Sequence, residues 1–106
     1  MRLVAEVEGE VVGIVGAGAG ESSGTAALTS LWVDPRARGK GVGDGLVEAV
    51  LDWARTEGLG QVLLWVAEGN FNAERLYERH GFTRTGAVAA VRPGDARLEY
   101  EMTARI

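Results

Sequence analysis

The sequence predicts a mixed α+β domain in which a central βαβ unit is flanked by two antiparallel hairpins. Three observations carry that prediction. A strand-forming run, Thr25 to Val33, stops at Asp34-Pro35 and is followed by a basic, glycine-punctuated loop and an apolar-periodic segment from Val42. Beyond Gly58 and Gly60 comes the continuous apolar run VLLWV, too short for a helix of its own. Short alternating patterns, which read as paired strands, occupy both ends of the chain. The chain has 106 residues, which suits one compact domain spanning 1–106 with one core.

Taken in order, Arg2 to Glu8 alternates Leu3, Ala5 and Val7 against Val4, Glu6 and Glu8, the pattern of a half-buried strand. Glu8-Gly9-Glu10 is a turn, and Val11 to Gly18 is a second strand that closes the first hairpin. Glycines 13, 16 and 18 weaken it and mark a bulge or a close backbone approach. Gly20 to Gly24 is a polar loop. Proline 35 ends the third strand because it cannot donate to a ladder. In the long helix, Val42 to Thr56, one face carries Val42, Leu46, Val47, Val50, Trp53 and Ala54. Gln61 to Val66 reads as a strand buried on both faces, as in a parallel pair. A short helix spans Asn72 to His80, capped by Asn70 or Asn72, with Gly81 as its stop and Phe82 as the accompanying apolar contact. Phe82 to Val91 and Arg97 to Thr103 form the last hairpin around Arg92-Pro93-Gly94-Asp95. The three tryptophans, 32, 53 and 65, are expected in the core.

Composition excludes several function classes. Net charge is −4, so the surface as a whole is not a nucleic-acid footprint. There is no cysteine, which removes disulfides, thiolate metal sites and a cysteine nucleophile. A single histidine argues against a histidine-built metal centre, and no metal is expected. No apolar run approaches the ~20 residues of a membrane span, and the first residues lack the apolar core of a signal peptide. A reducing, cytoplasmic setting is therefore the expectation, without membrane or nucleic-acid partners.

The loop after the third strand is where the chemistry concentrates. Arg36, Arg38 and Lys40 lie between Asp34 and Asp44 with no acid among them, interleaved with Gly39, Gly41 and Gly43. Glycines let a backbone approach closely, and free N–H groups at a helix start attract an anion. The stretch reads as a cradle for the diphosphate of a nucleotide-like cofactor. A mononucleotide loop needs GxxxxGK followed by Ser or Thr, but Gly41 follows Lys40. A dinucleotide loop needs GxGxxG, but Asp44 stands where the third glycine belongs.

A different pattern fits: Arg38-x-x-Gly41-x-Gly43 after Val33-Asp34-Pro35, then Asn70-x-x-Ala73-x-x-Leu76-Tyr77-Glu78 and His80-Gly81-Phe82. The chain resembles the GNAT N-acetyltransferases, whose acyl-CoA motif is R/Q-x-x-G-x-G/A and whose second motif is N-x-x-A-x-x-x-Y-E-x-x-G-F. The likeness runs from about Leu3 to the end. It implies a GNAT-like acyl-CoA N-acyltransferase fold. It also implies acetyl-CoA as donor co-substrate and an amine on a small molecule or peptide as acceptor. Backbone of Leu31, Trp32 and Val33 is implied to pair with the pantetheine amides and to polarise the thioester carbonyl. Amides of Arg38, Gly39, Lys40, Gly41, Val42 and Gly43, with Asp44 beside them, would bind the diphosphate. Asn70 and Ala73 would meet the acyl arm, and Tyr77 would be the general acid.

The chemistry asks for such parts. Aminolysis of a thioester passes through an oxyanion that preorganised N–H donors stabilise. The leaving thiolate needs a proton, and a phenol of pKa ~10 holds one at neutral pH. Two departures from the family stand out. Many members carry a glutamate on the strand before the loop as general base, but Thr25 to Val33 holds no carboxylate, and Glu68 is the nearest later candidate. Family domains also begin with a strand and two helices, which make much of the acceptor pocket, before the hairpin that starts here near Leu3. The domain is thus expected to be N-terminally truncated relative to the family. It then folds alone, borrows a neighbour's surface, or dimerises. The rival to an active enzyme is a CoA-binding domain without activity of its own. His80 reads as a helix-end cation and not as a base.

Overall fold

The computed structural model describes residues 1–106. Six strands and two helices follow in the order β1 (Arg2–Val7), β2 (Glu10–Ala19), β3 (Thr25–Val33), α1 (Val42–Thr56), β4 (Gln61–Ala67), α2 (Phe71–Arg79), β5 (Thr83–Ala90) and β6 (Leu98–Arg105). A short 3-10 turn, Pro35–Ala37, leads from β3 toward α1. The strands make one sheet in the order β1-β2-β3-β4-β6-β5. Only β3 and β4 pair in parallel, across α1. The expected hairpins flank that unit, and β6 is inserted between β4 and β5.

Local chemistry explains the joints. Glu8 and Gly9 both take positive φ, 52° and 82°, the signature of a two-residue turn matched to strand twist. Both helices stop by the same device. Leu59 N–H donates to the Ala54 carbonyl and Gly58 N–H to Arg55 at the end of α1. Phe82 N–H donates to Tyr77 and Gly81 N–H to Glu78 at the end of α2. These are paired 6→1 and 5→2 bonds around a left-handed glycine. The Phe82 and Tyr77 rings meet edge to face at 5.8 Å, the apolar contact that seals the second stop.

Both helices lie on one face of the sheet. Val47, Val50, Leu51 and Ala54 of α1 share a buried cluster with Val15, Ala26, Val62, Leu64, Met102 and Ala104, and Tyr77 of α2 joins it. Gly13 permits this packing: a Cβ there would stand 2.9 Å from Val42 Cγ1 and 3.0 Å from Leu46 Cδ1. The expected bulge falls between Gly16 and Ala17.

The parallel pair is brief. β3 and β4 are in register only at Thr25, Ala26 and Ala27 against Gln61, Leu63 and the valine between them. Beyond that point the strands part, and the rest of the β4-facing edge of β3 pairs with no strand.

Several expectations are corrected. β4 is not buried on both faces: Val62, Leu64 and Val66 are buried, while Trp65 on the other face is 42% exposed, because no helix covers that side. For the same reason Trp32 is 44% exposed, and only Trp53 packs against the core. In β1 the alternation is not realised as half burial, since Leu3 and Val4 are both exposed on an edge strand while α1 lies mainly over β2 and β3. The short helix begins at Phe71 and not Asn72, since the cap is Asn70. The last strand runs on to Arg105.

Candidate active site

The loop after β3 is built on Asp34, whose Oδ1 accepts from the Arg36 amide at 2.9 Å while its carboxylate holds the Arg36 guanidinium. These contacts pull the Asp34 pKa down to about 2. The chain then turns through left-handed Gly39 (φ 77°) and Gly41 (φ 82°), and Gly41 is the N-cap of α1 with no side chain to cap it. As a result none of the backbone amides from Gly39 to Asp44 donates to an acceptor within the chain. A row of free N–H groups at the positive end of a fifteen-residue helix is an arrangement that attracts anions.

Helix α2 closes over this row. Gly43 lets it come near, since a Cβ there would lie 3.1 Å from Leu76 Cδ2. Arg79 donates to both carboxylate oxygens of Asp44, at 3.1 and 3.3 Å. The His80 ring is held between two acids, with Nε2 2.7 Å from Asp44 Oδ1 and Nδ1 2.6 Å from Glu48 Oε1. The His80 bond, then the Arg79 contacts, hold the Asp44 carboxyl below its usual range. His80 is therefore a clasp between helices.

Between these elements lies a cleft of about 650 Å³. Of the predicted residues it brings together Leu31, Trp32, Val33, Arg38, Gly39, Gly41, Gly43, Asp44, Asn70, Ala73 and Tyr77. Lys40 and Val42 contribute no lining: Lys40 is exposed, and Val42 faces Gly13. Asn70 caps α2, its side-chain oxygen accepting from Ala73 N–H at 3.3 Å, so Asn72 is released to hold Arg75 at 2.8 Å. Sequence reasoning missed Arg75 and Arg79, which line the cleft beside Arg38. Their spacing of four along α2 was the available signal, since it puts both on one helix face.

Tyr77 is the innermost polar group. It is 6% exposed, and burial alone pushes its phenol above the ordinary value, with no hydrogen bond acting on it. It lines the cleft and also a second, small hollow in the parting between β3 and β4. Glu68 is placed elsewhere. It lines none of these hollows, and its Oε2 accepts the Tyr100 hydroxyl at 3.0 Å. The Arg84 guanidinium stacks over Tyr100 and is in turn held by Glu74 at 2.7 and 2.8 Å.

The donor set suits a CoA thioester. Free amides with Arg38 and Arg75 match phosphates, the unpaired edge of β3 matches an amide-bearing arm, and the Tyr77 hydroxyl stands at the end of that path.

Comparison with known proteins agrees with this geometry. Residues 1–82 match the family model described as Acetyltransferase (GNAT) family. N-acetylaspartate synthetase of Rattus norvegicus is 40% identical over 84 residues, covering 79% of this chain and 28% of that protein. Mycothiol acetyltransferase of Thermobispora bispora is 54% identical over 52 residues, covering 49% of this chain and 18% of that protein. The chain thus spans under a third of the length of these relatives. Among solved structures, ribosomal-protein-alanine N-acetyltransferase from Brucella melitensis superposes with a TM-score of 0.86 at 26% identity, covering 99% of this chain and 68% of that one. A sheet parted beside an uncapped, glycine-led helix, an arginine-flanked cleft and the match over residues 1–82 lead to one assignment: the chain belongs to the GNAT acetyltransferase family.

Proposed function

We propose that this chain is a single N-acetyltransferase domain that moves an acetyl group from acetyl-CoA to a primary amine of a small molecule or peptide by direct attack. The observation that carries the reading is the Tyr77 hydroxyl. It belongs to a residue only 6% exposed, is accessible and without a partner in the chain, and sits where the amide-lined cleft meets the parting of the sheet.

Acetyl-CoA supplies an activated thioester. The amides from Gly39 to Asp44, with Arg38, Arg75 and Arg79, hold its phosphates, and the free edge of β3 from Leu31 to Val33 aligns its arm and polarises the carbonyl. An ammonium acceptor first gives one proton to water. Its nitrogen then bonds to the acetyl carbon, the carbon–sulfur bond breaks, and Tyr77 gives its proton to the departing thiolate. The second proton on nitrogen leaves to restore the phenol, so one proton is released per turnover. The raised Tyr77 pKa suits this role, because the group stays protonated across neutral pH.

Glu68 is engaged by Tyr100 outside the cleft, so this reading lets the amine lose its proton through water. That same position of Glu68, together with the bare tryptophans of the helix-free face, favours a second reading: a CoA-binding domain that needs a partner chain or a second copy for activity. No helix is long and apolar enough to cross a membrane. Partners in the proposal are an acyl-CoA donor and an amine, without nucleic acid or membrane, in the cytoplasm. Calorimetry with acetyl-CoA tests both readings, and absence of heat rejects them together. Thiol release over an amine panel, with light scattering for the assembly state, separates the two.

A further inference from the structure

We propose that the acceptor amine belongs to a molecule carrying a second positive charge, held by Glu99 and Glu101 beside Trp65. The inference rests on the acetyltransferase reading and names the substrate class of that same site.

Two hollows that share lining residues run along β3 and β4: an inner one beside Tyr77 at their parting, and an outer one over their paired ends, reached by Glu99 and Glu101. The inner one, about 190 Å³, reaches Tyr77 and Asn70 and carries no charged side chain. The outer one, about 520 Å³, shares Leu28, Thr29 and Trp65 with it. Every charged side chain lining the outer hollow is a carboxylate: Glu21, Glu99 and Glu101. The donor cleft on the opposite face has Arg38, Arg75 and Arg79 on its walls, and its one carboxylate, Asp44, is already held by Arg79 and His80. The passage is therefore polarised end to end.

The carboxylates are built into the sheet. Glu99 and Glu101 are alternate residues of β6, opposite Ala67 and Trp65 of β4, so both project to the helix-free face. Glu101 is oriented by the Thr85 hydroxyl at 2.8 Å. Glu99 joins no ion pair, and Arg97, two residues before it, is taken by Asp95. Independently of these acids, Tyr77, only 6% exposed as a residue, lines the inner hollow with a hydroxyl that is accessible and has no partner in the chain, which marks the passage as a ligand path. Trp65 lies between the two ends and presents its exposed indole to a cation. A cleft lined by one sign of charge concentrates the opposite sign, by roughly ten- to a thousandfold. An amine whose reacting end enters the neutral inner hollow leaves its second cation beside Glu99 and Glu101. A free α-carboxylate on the acceptor would be repelled there. The chain would thus differ in acceptor charge from its relative N-acetylaspartate synthetase, whose named product derives from an acidic amine.

The test is steady-state thiol release by the 106-residue chain with three acceptors: 1,4-diaminobutane, n-butylamine and aspartate. The expected kcat/KM order is diamine, then monoamine, then aspartate, with the diamine ahead of the monoamine by about tenfold at low salt and by less at high salt. The double variant Glu99→Gln/Glu101→Gln is expected to raise KM for the diamine and compress the ratio toward one. Glu99→Lys is expected to bring aspartate up relative to the diamine. An unchanged ratio in the double variant, or aspartate ahead of the diamine in the wild type, overturns the proposal. So does acetyl-CoA binding without transfer to any of the three. Failure to bind acetyl-CoA at all overturns instead the reading on which the proposal stands. The substitutions are at exposed or half-exposed strand positions. Circular dichroism of each variant checks folding, and Trp65→Phe offers a second, charge-neutral probe that is expected to weaken the diamine preference about threefold.

Discussion

At Tyr77 two demands meet in one side chain. Its ring packs against Phe82 and closes the core, while its hydroxyl has no partner and faces the cleft. Tyr77→Phe keeps the first role and removes the second. We expect kcat to fall about a hundredfold with acetyl-CoA affinity nearly unchanged, and the alkaline limb of the pH profile to disappear. A rate and profile equal to wild type would remove Tyr77 from the chemistry. The Asp44–His80–Glu48 clasp carries a stability prediction. The Asp44 carboxyl titrates below its unfolded value of about 3.9, so its stabilisation is complete above that value and is lost as pH falls through the folded one. Melts between about pH 6 and pH 2 should therefore show a drop at the acid end that is smaller in Asp44→Asn. Arg75→Ala should weaken acetyl-CoA about fivefold yet leave acetyl-pantetheine, which has no diphosphate, unaffected. At this scale the sequence was partly readable. Asn70, Ala73 and Tyr77 stood out because their spacing is specific, whereas Asn70 and Asn72 are equally good caps on paper and only the helix start decides between them. Lys40 carries the right charge but does not line the cleft, and charge alone could not reveal that.

Among the elements, β3 and α1 were readable to the residue, since a proline, a left-handed glycine and a paired-bond stop mark their ends. The character of β4 was not. An apolar run is compatible with burial on both faces, and only the absence of a helix on the far side exposes Trp65. Two glycines of β2 separate local from tertiary effects. An added Cβ at position 13 would meet α1 at 2.9 Å and the Trp32 carbonyl at 3.2 Å, while at position 18 nothing lies within 4 Å. We expect Gly13→Ala to cost about 1–3 kcal/mol in urea unfolding. Gly18→Ala should be near neutral, since strand glycine is itself unfavourable. Equal effects would show that helix α1 does not rest on β2 as described.

For the whole molecule, the arrangement of both helices on one face leaves a sheet with one dressed and one bare side. Acrylamide should quench Trp32 and Trp65 readily and Trp53 poorly. The Trp32→Phe/Trp65→Phe variant should thus lose most of the quenchable emission and shift it to the blue. No such change would mean that another surface covers the bare side in solution. The parting of β3 from β4 could not be foreseen, because register belongs to a pair of strands and neither sequence alone encodes where they separate. The row of unpaired amides from Gly39 to Asp44 has one more consequence. In the proposed function it meets phosphate with main chain, a material every residue shares, so substitutions at Lys40 or Val42 that respect the backbone path should leave it intact. The far end of the passage is made of side chains and can be rewritten one at a time. A protein so divided keeps its currency fixed while its customer changes, and redesign of acceptor choice should begin at β6 and leave the glycine loop alone.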